Sequence, residues 1–364
     1  MRLLWLVFVP PILYQCLAIF AAIRQLSRRK APAWTAPVSV LKPLRGLDPN
    51  TAEAFQSQVE QEHPQFEVLF GARDANDPAA QEVRRLAGEL PNSAAQLIIG
   101  GPETGNAKVG LLMELSRHAR YPLWVVNDSD IKVDAKYLAS VTAPLVDPAI
   151  GVVTCLYRVK AHNLEAAWEA LGIMTDFMPS TMVAQLIGVR EFGLGSTLAF
   201  RAEDLAKAGG FERIANYIAD DYQLAKGITA LGKRVVLSTY VVETTLGDAT
   251  WLGVWRHQLR WARTIRLSKG GGYLGLPITQ AGLWIAIALV CGLDSIAVTL
   301  AALRIMSALV SGGLVLRSGL AGSFCWLAPL WDLYSFAIWI ASYCGRTVRW
   351  RDRALTIGPE GRIV

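Results

Sequence analysis

Between residues 38 and 155 the chain alternates short apolar runs with longer segments of mixed polarity. The apolar runs have the length of buried strands, which predicts strands at residues 38–41, 66–70, 96–99, 123–126 and 149–155. Lys42 and Pro43 are expected to end the first strand. The segments between have helical composition, which predicts helices at residues 50–61, 79–90 and 107–120. This alternation predicts a doubly wound α/β fold with a mostly parallel sheet.

The first 30 residues are predicted to form a membrane anchor. Residues 3–23 are apolar except for Tyr14 and Gln15, and this stretch is long enough to span a bilayer. Four basic residues follow, at positions 24, 28, 29 and 30. A cleaved signal peptide would carry its positive charge before the apolar core, so the pattern favours an anchor. The positive-inside rule then places the next domain in the cytoplasm.

The last third of the chain is also predicted to meet the membrane. Residues 251–275 carry Trp251 and Trp255 on one helical face and arginines on others, which is typical of an interfacial helix. Residues 276–364 contain apolar stretches at 276–316 and 320–343 and a basic tail. A cytoplasmic tail requires an even number of spans, whereas the apolar residues permit three, so the number stays open. Residues 1–30 and 31–250 are the predicted anchor and α/β domain.

The composition agrees with one soluble domain flanked by membrane segments. Of 364 residues, 52% are hydrophobic and 18% are charged, and the mean hydropathy is +0.31. These values are too apolar for an ordinary soluble domain and too charged for an all-membrane protein. The net charge of +6 is explained by arginines beside membrane helices, and no basic stripe indicates nucleic-acid binding. The five cysteines and four histidines lack the spacing of metal ligands.

The sequence YPLWVVNDSD at residues 121–130 concentrates the candidate chemistry. Asp128 and Asp130 follow a short apolar run directly. Ligands of open α/β sheets bind beyond the carboxyl ends of the strands, and residues i and i+2 of an extended chain point to the same side. The two carboxylates are therefore expected to converge on a divalent cation that also binds substrate phosphates. For such a pair alone, a helix cap or Asx turn would be the favoured interpretation.

Three further features stand in order with this DSD sequence. Asp74 follows a strand in RDANDP, Asp221 lies in ADDY, and Arg260 and Trp261 end HQLRW. Each alone is explained by a turn, a helix cap or an interfacial anchor. Together they resemble the D, DxD, D, (Q/R)xxRW signature of family-2-like and ceramide-glucosyltransferase-like (family 21) glycosyltransferases. His257 departs from the first position of the last motif, and Gln258 follows it.

The segments between these motifs extend the resemblance over roughly residues 38–266. VLKPLRGLD, GNAK, the loop around Gly195 and GGF are similar to segments of the ceramide glucosyltransferase group. YIADDYQLAKGI and RVVLSTYVVET are similar to the bacterial members, including the hopanoid-biosynthesis glycosyltransferases. The resemblance implies a GT-A (Rossmann-like) catalytic domain at residues 31–250, between N-terminal and C-terminal membrane helices.

The resemblance also implies a role for each matching residue. Mg²⁺ or Mn²⁺ would be held by Asp128 and Asp130, and Asp221 would be the general base. The acceptor would contact Gly195, Ser196 and His257. The nucleotide-sugar would be bound by Lys42, Asp74, Lys108, Asp128, Arg260 and Trp261.

Elementary chemistry agrees with these roles. Transfer from a nucleotide-sugar requires that the charge of the leaving diphosphate be neutralised and that a base take the acceptor proton. A single base in place of an enzyme nucleophile suits direct displacement with inversion. The expected protein moves glucose or N-acetylglucosamine from a UDP-sugar to a lipid, ceramide or a hopanoid, at the cytoplasmic face of a bacterial inner membrane. The alternatives are a processive polysaccharide synthase, which usually has more spans, and a non-catalytic membrane scaffold.

Overall fold

The computed structural model describes residues 4–29, 31, 34–48, 50–89, 94–350 and 353–364. Residues 1–3 and 30 of the predicted anchor, residue 90 of the predicted helix at 79–90, and residues 351–352 of the basic tail lie outside these residues. Within them the predicted α/β fold is confirmed. Its helices are α1 (Val9–Leu26), α2 (Thr51–Val59), α3 (Pro78–Glu89), α4 (Ala107–His118), α5 (Tyr137–Thr142), α6 (Leu164–Gly172), α7 (Met178–Leu186), α8 (Ala202–Lys207), α9 (Asp220–Thr229), α10 (Trp251–Ser268), α11 (Gly270–Tyr273), α12 (Leu276–Thr279), α13 (Ala281–Val290), α14 (Asp294–Ala308), α15 (Gly319–Ser323) and α16 (Ala328–Ser342).

A seven-stranded sheet forms the centre of the α/β domain, and its strands are β1 (Val38–Pro43), β2 (Phe66–Ala72), β3 (Ala95–Ile99), β4 (Leu123–Val126), β5 (Ile150–Ala161), β6 (Leu198–Arg201) and β7 (Arg234–Leu246). Their order in the sheet is β3-β2-β1-β4-β6-β5-β7. The first four strands in this order are parallel to one another, and β6 runs antiparallel to both β4 and β5.

Two strands are longer than the apolar runs indicated. β1 includes Lys42 and Pro43, so the expectation that they end the strand was wrong. The ladder continues past the proline because Leu44 N–H donates to the Gly71 carbonyl at 2.7 Å. β5 continues beyond the predicted residue 155 to Ala161, because its last residues pair with β7.

The sheet is covered on both faces. Alternate side chains of β1 enter different cores: Val38 and Val40 pack in one, and Leu41 packs in the other. β4 repeats the pattern, with Leu123 in the first core and Val126 in the second. This two-sided burial is what a doubly wound sheet requires, and it fixes the register of the strands that end at the cleft.

Among the described residues, two helices are long and apolar enough to cross a membrane. They span Trp5–Leu26 and Asp294–Val315, with hydropathies of 2.2 and 1.8. A third candidate is a helix pair, Gly271–Thr279 and Ala281–Val290, bent by 56°. Gln15 donates to the Thr279 carbonyl at 2.9 Å, which satisfies a backbone group exposed by the bend.

The C-terminal residues return to the α/β domain. A hairpin, β8 (Thr347–Trp350) and β9 (Arg353–Thr356), is followed by a tail that pairs with the segment before α9. Ile363 N–H donates to the Asn216 carbonyl at 2.8 Å, and Ile218 N–H donates to the Gly361 carbonyl at 3.0 Å. The tail and the sheet therefore lie on the same side of any membrane that the intervening helices cross, which requires an even number of crossings. Two candidates, the bent pair and the Asp294–Val315 helix, agree with such a number.

Candidate active site

The loop after β4 is held from behind by a buried lysine. Lys42 is fully buried, and its Nζ donates to Asn127 Oδ1 at 2.8 Å and to the Asp128 carbonyl at 2.7 Å. Burial lowers the pKa of Lys42 to about 7, against the opposing effect of Asp130 and Asp128. Lys42 therefore fixes the shape of the loop, and its ammonium does not line the cleft where a nucleotide would contact it.

Asp128 and Asp130 lie at the carboxyl end of β4 and line the cleft. Asp128 accepts a hydrogen bond from Lys108 Nζ at 2.8 Å. Asp130 accepts one from the hydroxyl of Thr244, at the end of β7. Burial and the nearby charge of Asp128 raise the pKa of Asp130. A cation between the two carboxylates would relieve this repulsion.

Lys108 joins the DSD loop to the start of α9. Its Nζ lies 2.8 Å from Asp128 and 3.0 Å from Asp220. Asn106 positions it by capping α4, because its side chain accepts the N–H groups of residues 108 and 109. Burial by itself would lower the pKa of Lys108, but the charges of Asp128 and Asp220 raise it well above its usual range. Lys108 thus remains a cation in the cleft.

The adjacent carboxylates of Asp220 and Asp221 have different surroundings. Asp220 is buried against Lys108. Asp221 is half-buried in the cleft, and its oxygens accept the N–H groups of Gly195 at 3.0 Å and Tyr222 at 2.7 Å. Burial and the charge of Asp220 raise the pKa of Asp221 to about 7, although Lys108 opposes them. A carboxyl with this pKa suits a general base near neutral pH.

Gly195 is the point where the DSD loop and the base meet. Its N–H donates to Asp221, and its carbonyl accepts the N–H of Asp128 at 3.1 Å. A Cβ at this position would lie 2.7 Å from Asp128 Oδ2, so only glycine allows the carboxylate to approach. The next residue, Ser196, is 5% exposed and donates its hydroxyl to the Cys155 carbonyl. Its hydroxyl proton therefore supports the loop, while Ser196 itself lines the cleft.

The HQLRW motif lies on α10 and is anchored by a residue that the sequence did not reveal. Glu169, on α6, is 3% exposed, and its carboxylate accepts hydrogen bonds from His257 Nδ1 and Gln258 Nε2. The sequence feature that could have indicated Glu169 is a glutamate within an apolar helical stretch, where burial of an unpaired charge is costly. Glu169 therefore fixes the rotation of α10 and holds His257 at the cleft wall.

Arg260 and Trp261 face the cleft from the same helix. The Arg260 guanidinium makes no hydrogen bond with the described part of the chain. Burial lowers its pKa, while Glu169 and Asp128 raise it. Trp261 packs on His257 and Phe177, with ring centroids 5.0 and 5.4 Å apart. A guanidinium that lines the cleft and has no hydrogen-bond partner among the described residues suits an anionic ligand such as a phosphate.

Asp74 lies at the carboxyl end of β2 and lines the cleft. It is exposed after β2, and its Oδ1 accepts the N–H of Asn76 at 2.8 Å in an Asx turn. The neighbouring Asp77 instead caps α3 and accepts the Gly46 N–H at 2.9 Å. Asp74 Oδ2 thus has no hydrogen bond with the described residues, whereas both oxygens of Asp77 bind backbone N–H groups.

One open cleft of about 1570 Å³ connects these groups. It is lined by Asp74, Asp128, Asp221 and Arg260, and also by side chains of α16, including Trp331. Among the described residues, no group of three or more acidic, histidine or cysteine side chains is arranged to hold a metal ion. Two carboxylates beside an open cleft fit a Mg²⁺-type ion whose remaining ligands come from substrate and water.

The family of the chain follows from a match over nearly its whole length. The model of glycosyl transferase family 21 matches residues 3–363. The chain belongs to this family. The GT-A fold is also confirmed by a solved structure, the mannosyltransferase PcManGT from Pyrobaculum calidifontis in complex with GDP-Man and Mn²⁺, with 22% identity and a TM-score of 0.58. That match covers 94% of this chain and 96% of the other.

Curated relatives are ceramide glucosyltransferases. Ceramide glucosyltransferase 1 of Caenorhabditis elegans is 28% identical over 255 residues, which cover 69% of this chain and 54% of the relative. The ceramide glucosyltransferase of Komagataella phaffii is 27% identical over 142 residues, which cover 36% of this chain and 27% of the relative. The chain thus spans about half the length, or less, of the curated relatives that it matches.

Proposed function

We propose that this family 21 glycosyltransferase transfers glucose or N-acetylglucosamine from a UDP-sugar to a hydroxyl of a membrane lipid, with inversion. Ceramide and a hopanoid are the candidate acceptors, and the cytoplasmic face of a bacterial inner membrane is the proposed location. The observation that carries the proposal is a cleft lined by Asp221, by Arg260 and by helices that pack beside the candidate membrane spans. The names of the two curated relatives described above, both ceramide glucosyltransferases, support a lipid acceptor.

In the proposed reaction, Asp221 takes the proton of the acceptor hydroxyl as its oxygen attacks the anomeric carbon. Hydrogen bonds from Gly195 and Tyr222 orient the carboxylate. Its raised pKa lets it accept a proton near neutral pH without being protonated permanently. The sugar–phosphate bond breaks as the new glycosidic bond forms, so the anomeric configuration inverts.

The leaving UDP is bound by cationic groups. Arg260 is free to donate to the diphosphate, and Lys108 keeps its charge close to Asp128. Asp128 and Asp130 are proposed to hold Mg²⁺ or Mn²⁺, which would neutralise the charge that develops on the diphosphate. The presence of Mn²⁺ in the mannosyltransferase of the same fold agrees with this proposal.

The test is transfer by the purified protein in lipid nanodiscs. Radiolabelled UDP-glucose and UDP-N-acetylglucosamine are each supplied with ceramide or a hopanoid alcohol, and the lipid products are identified by mass spectrometry. NMR of the product gives the anomeric configuration. The Asp221→Asn variant is the control for contaminating activity. Absence of glycolipid with both donors would refute the proposal, and long polymers would favour a processive synthase.

A further inference from the structure

The membrane end of the cleft contains polar groups that the reaction at Asp221 does not use. Three elements meet there: the π-helical segment Ile173–Phe177 between α6 and α7, the bend between α12 and α13, and the middle of α16. Each contributes one polar side chain to the cleft wall, namely Asp176, Gln280 and Ser335. π-Helical turns within α-helices occur frequently at functional sites.

Asp176 is a carboxylate with few partners. Its Oδ2 accepts hydrogen bonds from Trp331 Nε1 at 3.3 Å and from the Ser335 hydroxyl at 3.4 Å. Both are longer than typical bonds of these types, and Oδ1 has no hydrogen bond with the described residues. The carboxylate therefore retains capacity to accept hydrogen bonds from a ligand in the cleft.

Gln280 is the second acceptor, and it is nearly inaccessible to water. It is 3% exposed, and its Nε2 donates to the Ser335 hydroxyl at 3.0 Å. Its Oε1 is buried without a hydrogen-bond partner in the described part of the chain. An unsatisfied buried oxygen costs about 1–3 kcal/mol. A ligand donor would remove this cost.

The surroundings hold these two acceptors in place. Arg304 donates to both oxygens of Asp332, at 2.7 and 2.8 Å, and to the Thr175 carbonyl at 2.8 Å. The buried ion pair thus ties α14 and α16 to the residue before Asp176. The Asp332 carboxylate also accepts the N–H of Gly282, just after the bend at Gln280. The acceptors are therefore preorganised on three tied elements.

The same region is directly connected to the proposed reaction centre. Phe177, which follows Asp176, packs on Trp261, and Trp261 follows Arg260. The cleft here also has an apolar wall, formed in part by Ile173 and Ile338. A lipid in this part of the cleft would place its chains along the apolar wall and its polar headgroup beside the acceptors.

We propose that Asp176 and Gln280 form a headgroup subsite for the lipid acceptor. The subsite receives two hydrogen-bond donors of the headgroup, such as an amide N–H and a hydroxyl other than the one that is glycosylated. It selects amide or polyol lipids over lipids whose headgroup carries a single hydroxyl. The identification of this ligand as the acceptor rests on the proposed function.

Binding of lipid, measured without UDP-sugar, tests the subsite separately from catalysis. Brominated ceramide and its brominated N-methyl analogue, which lacks the amide donor, are incorporated into nanodiscs with the purified protein. The part of the tryptophan quenching that is lost in Trp331→Phe reports binding, since Trp331 donates to Asp176. We expect wild type to bind ceramide roughly 10-fold more tightly than the analogue, and Asp176→Asn and Gln280→Met to reduce this ratio to about 1–3.

Tyr334→Phe is the matched control. Tyr334 precedes Ser335, its hydroxyl is buried without a described partner, and it does not line the cleft. This variant should keep the full preference for ceramide. Equal binding of both lipids by wild type, or no binding, would overturn the subsite even if glycolipid is formed. Selective binding that the two variants abolish would support it even if no transfer is observed.

Discussion

Replacing Asp221 by asparagine separates the chemistry of this site from its architecture. The amide keeps the shape of the carboxylate but cannot take the acceptor proton. Loss of a general base typically lowers the rate about 10²–10⁴-fold. We expect the affinity for UDP to change little, because Asp74, Lys108 and Arg260 are unaltered.

The structure also predicts how the stability of the Asp221→Asn variant depends on pH. Burial and Asp220 raise the pKa of Asp221 to about 7, so the folded protein binds the proton more tightly than the unfolded chain. Wild type therefore loses stability as the pH rises from about 4 to about 7, and the neutral amide does not. The amide has one acceptor oxygen for two N–H groups, which costs about 1–3 kcal/mol. The variant should be less stable than wild type at pH 5, and the difference should shrink or reverse at pH 8.

The assay is the transfer rate between pH 5.5 and 9, with thermal unfolding followed at pH 5 and pH 8. The wild-type rate should rise with pH and level off above about pH 7, because the base must be ionised. Asp220→Asn should affect chemistry less, although it removes one partner of Lys108. A dead Asp220→Asn beside an active Asp221→Asn would identify Asp220 as the base. Activity of both variants would refute the mechanism.

Three further predictions concern the cleft and the topology. Gly195→Ala should lower the transfer rate on the order of 10²-fold, because the added Cβ lies 2.7 Å from Asp128 Oδ2. Gly88→Ala is the control, because its added Cβ meets nothing within 4 Å. Equal transfer rates of the two variants would contradict the close approach of Asp128 to Gly195. EDTA should abolish transfer and added Mg²⁺ or Mn²⁺ should restore it, whereas full activity in chelator would exclude a metal at Asp128 and Asp130. Lys207 has a side chain that is 62% exposed, and in a cysteine-free chain Lys207→Cys provides one accessible thiol. If this domain is cytoplasmic, an impermeant maleimide should not label that thiol in intact cells. Ready labelling would reverse the proposed orientation.

The sequence by itself determined the fold class, the family and the order of the main motifs. The apolar runs were sufficient to predict the sheet, because a strand that is buried on both faces consists of consecutive apolar residues. Placing Asp128 and Asp130 at a strand end needed only the general rule for open α/β sheets.

Only the tertiary structure decided what each side chain contacts. Lys42 and Lys108 are the same residue type, but β1 buries Lys42 behind the loop, whereas the Asn106 cap holds Lys108 at the cleft. Glu169 lies 88 residues from His257 along the chain, so no local pattern could pair them. The return of the C-terminal tail to Asn216 favours an even number of spans, which hydropathy left open. These contacts join distant segments, and they depend on how helices and strands pack, which local periodicity does not encode.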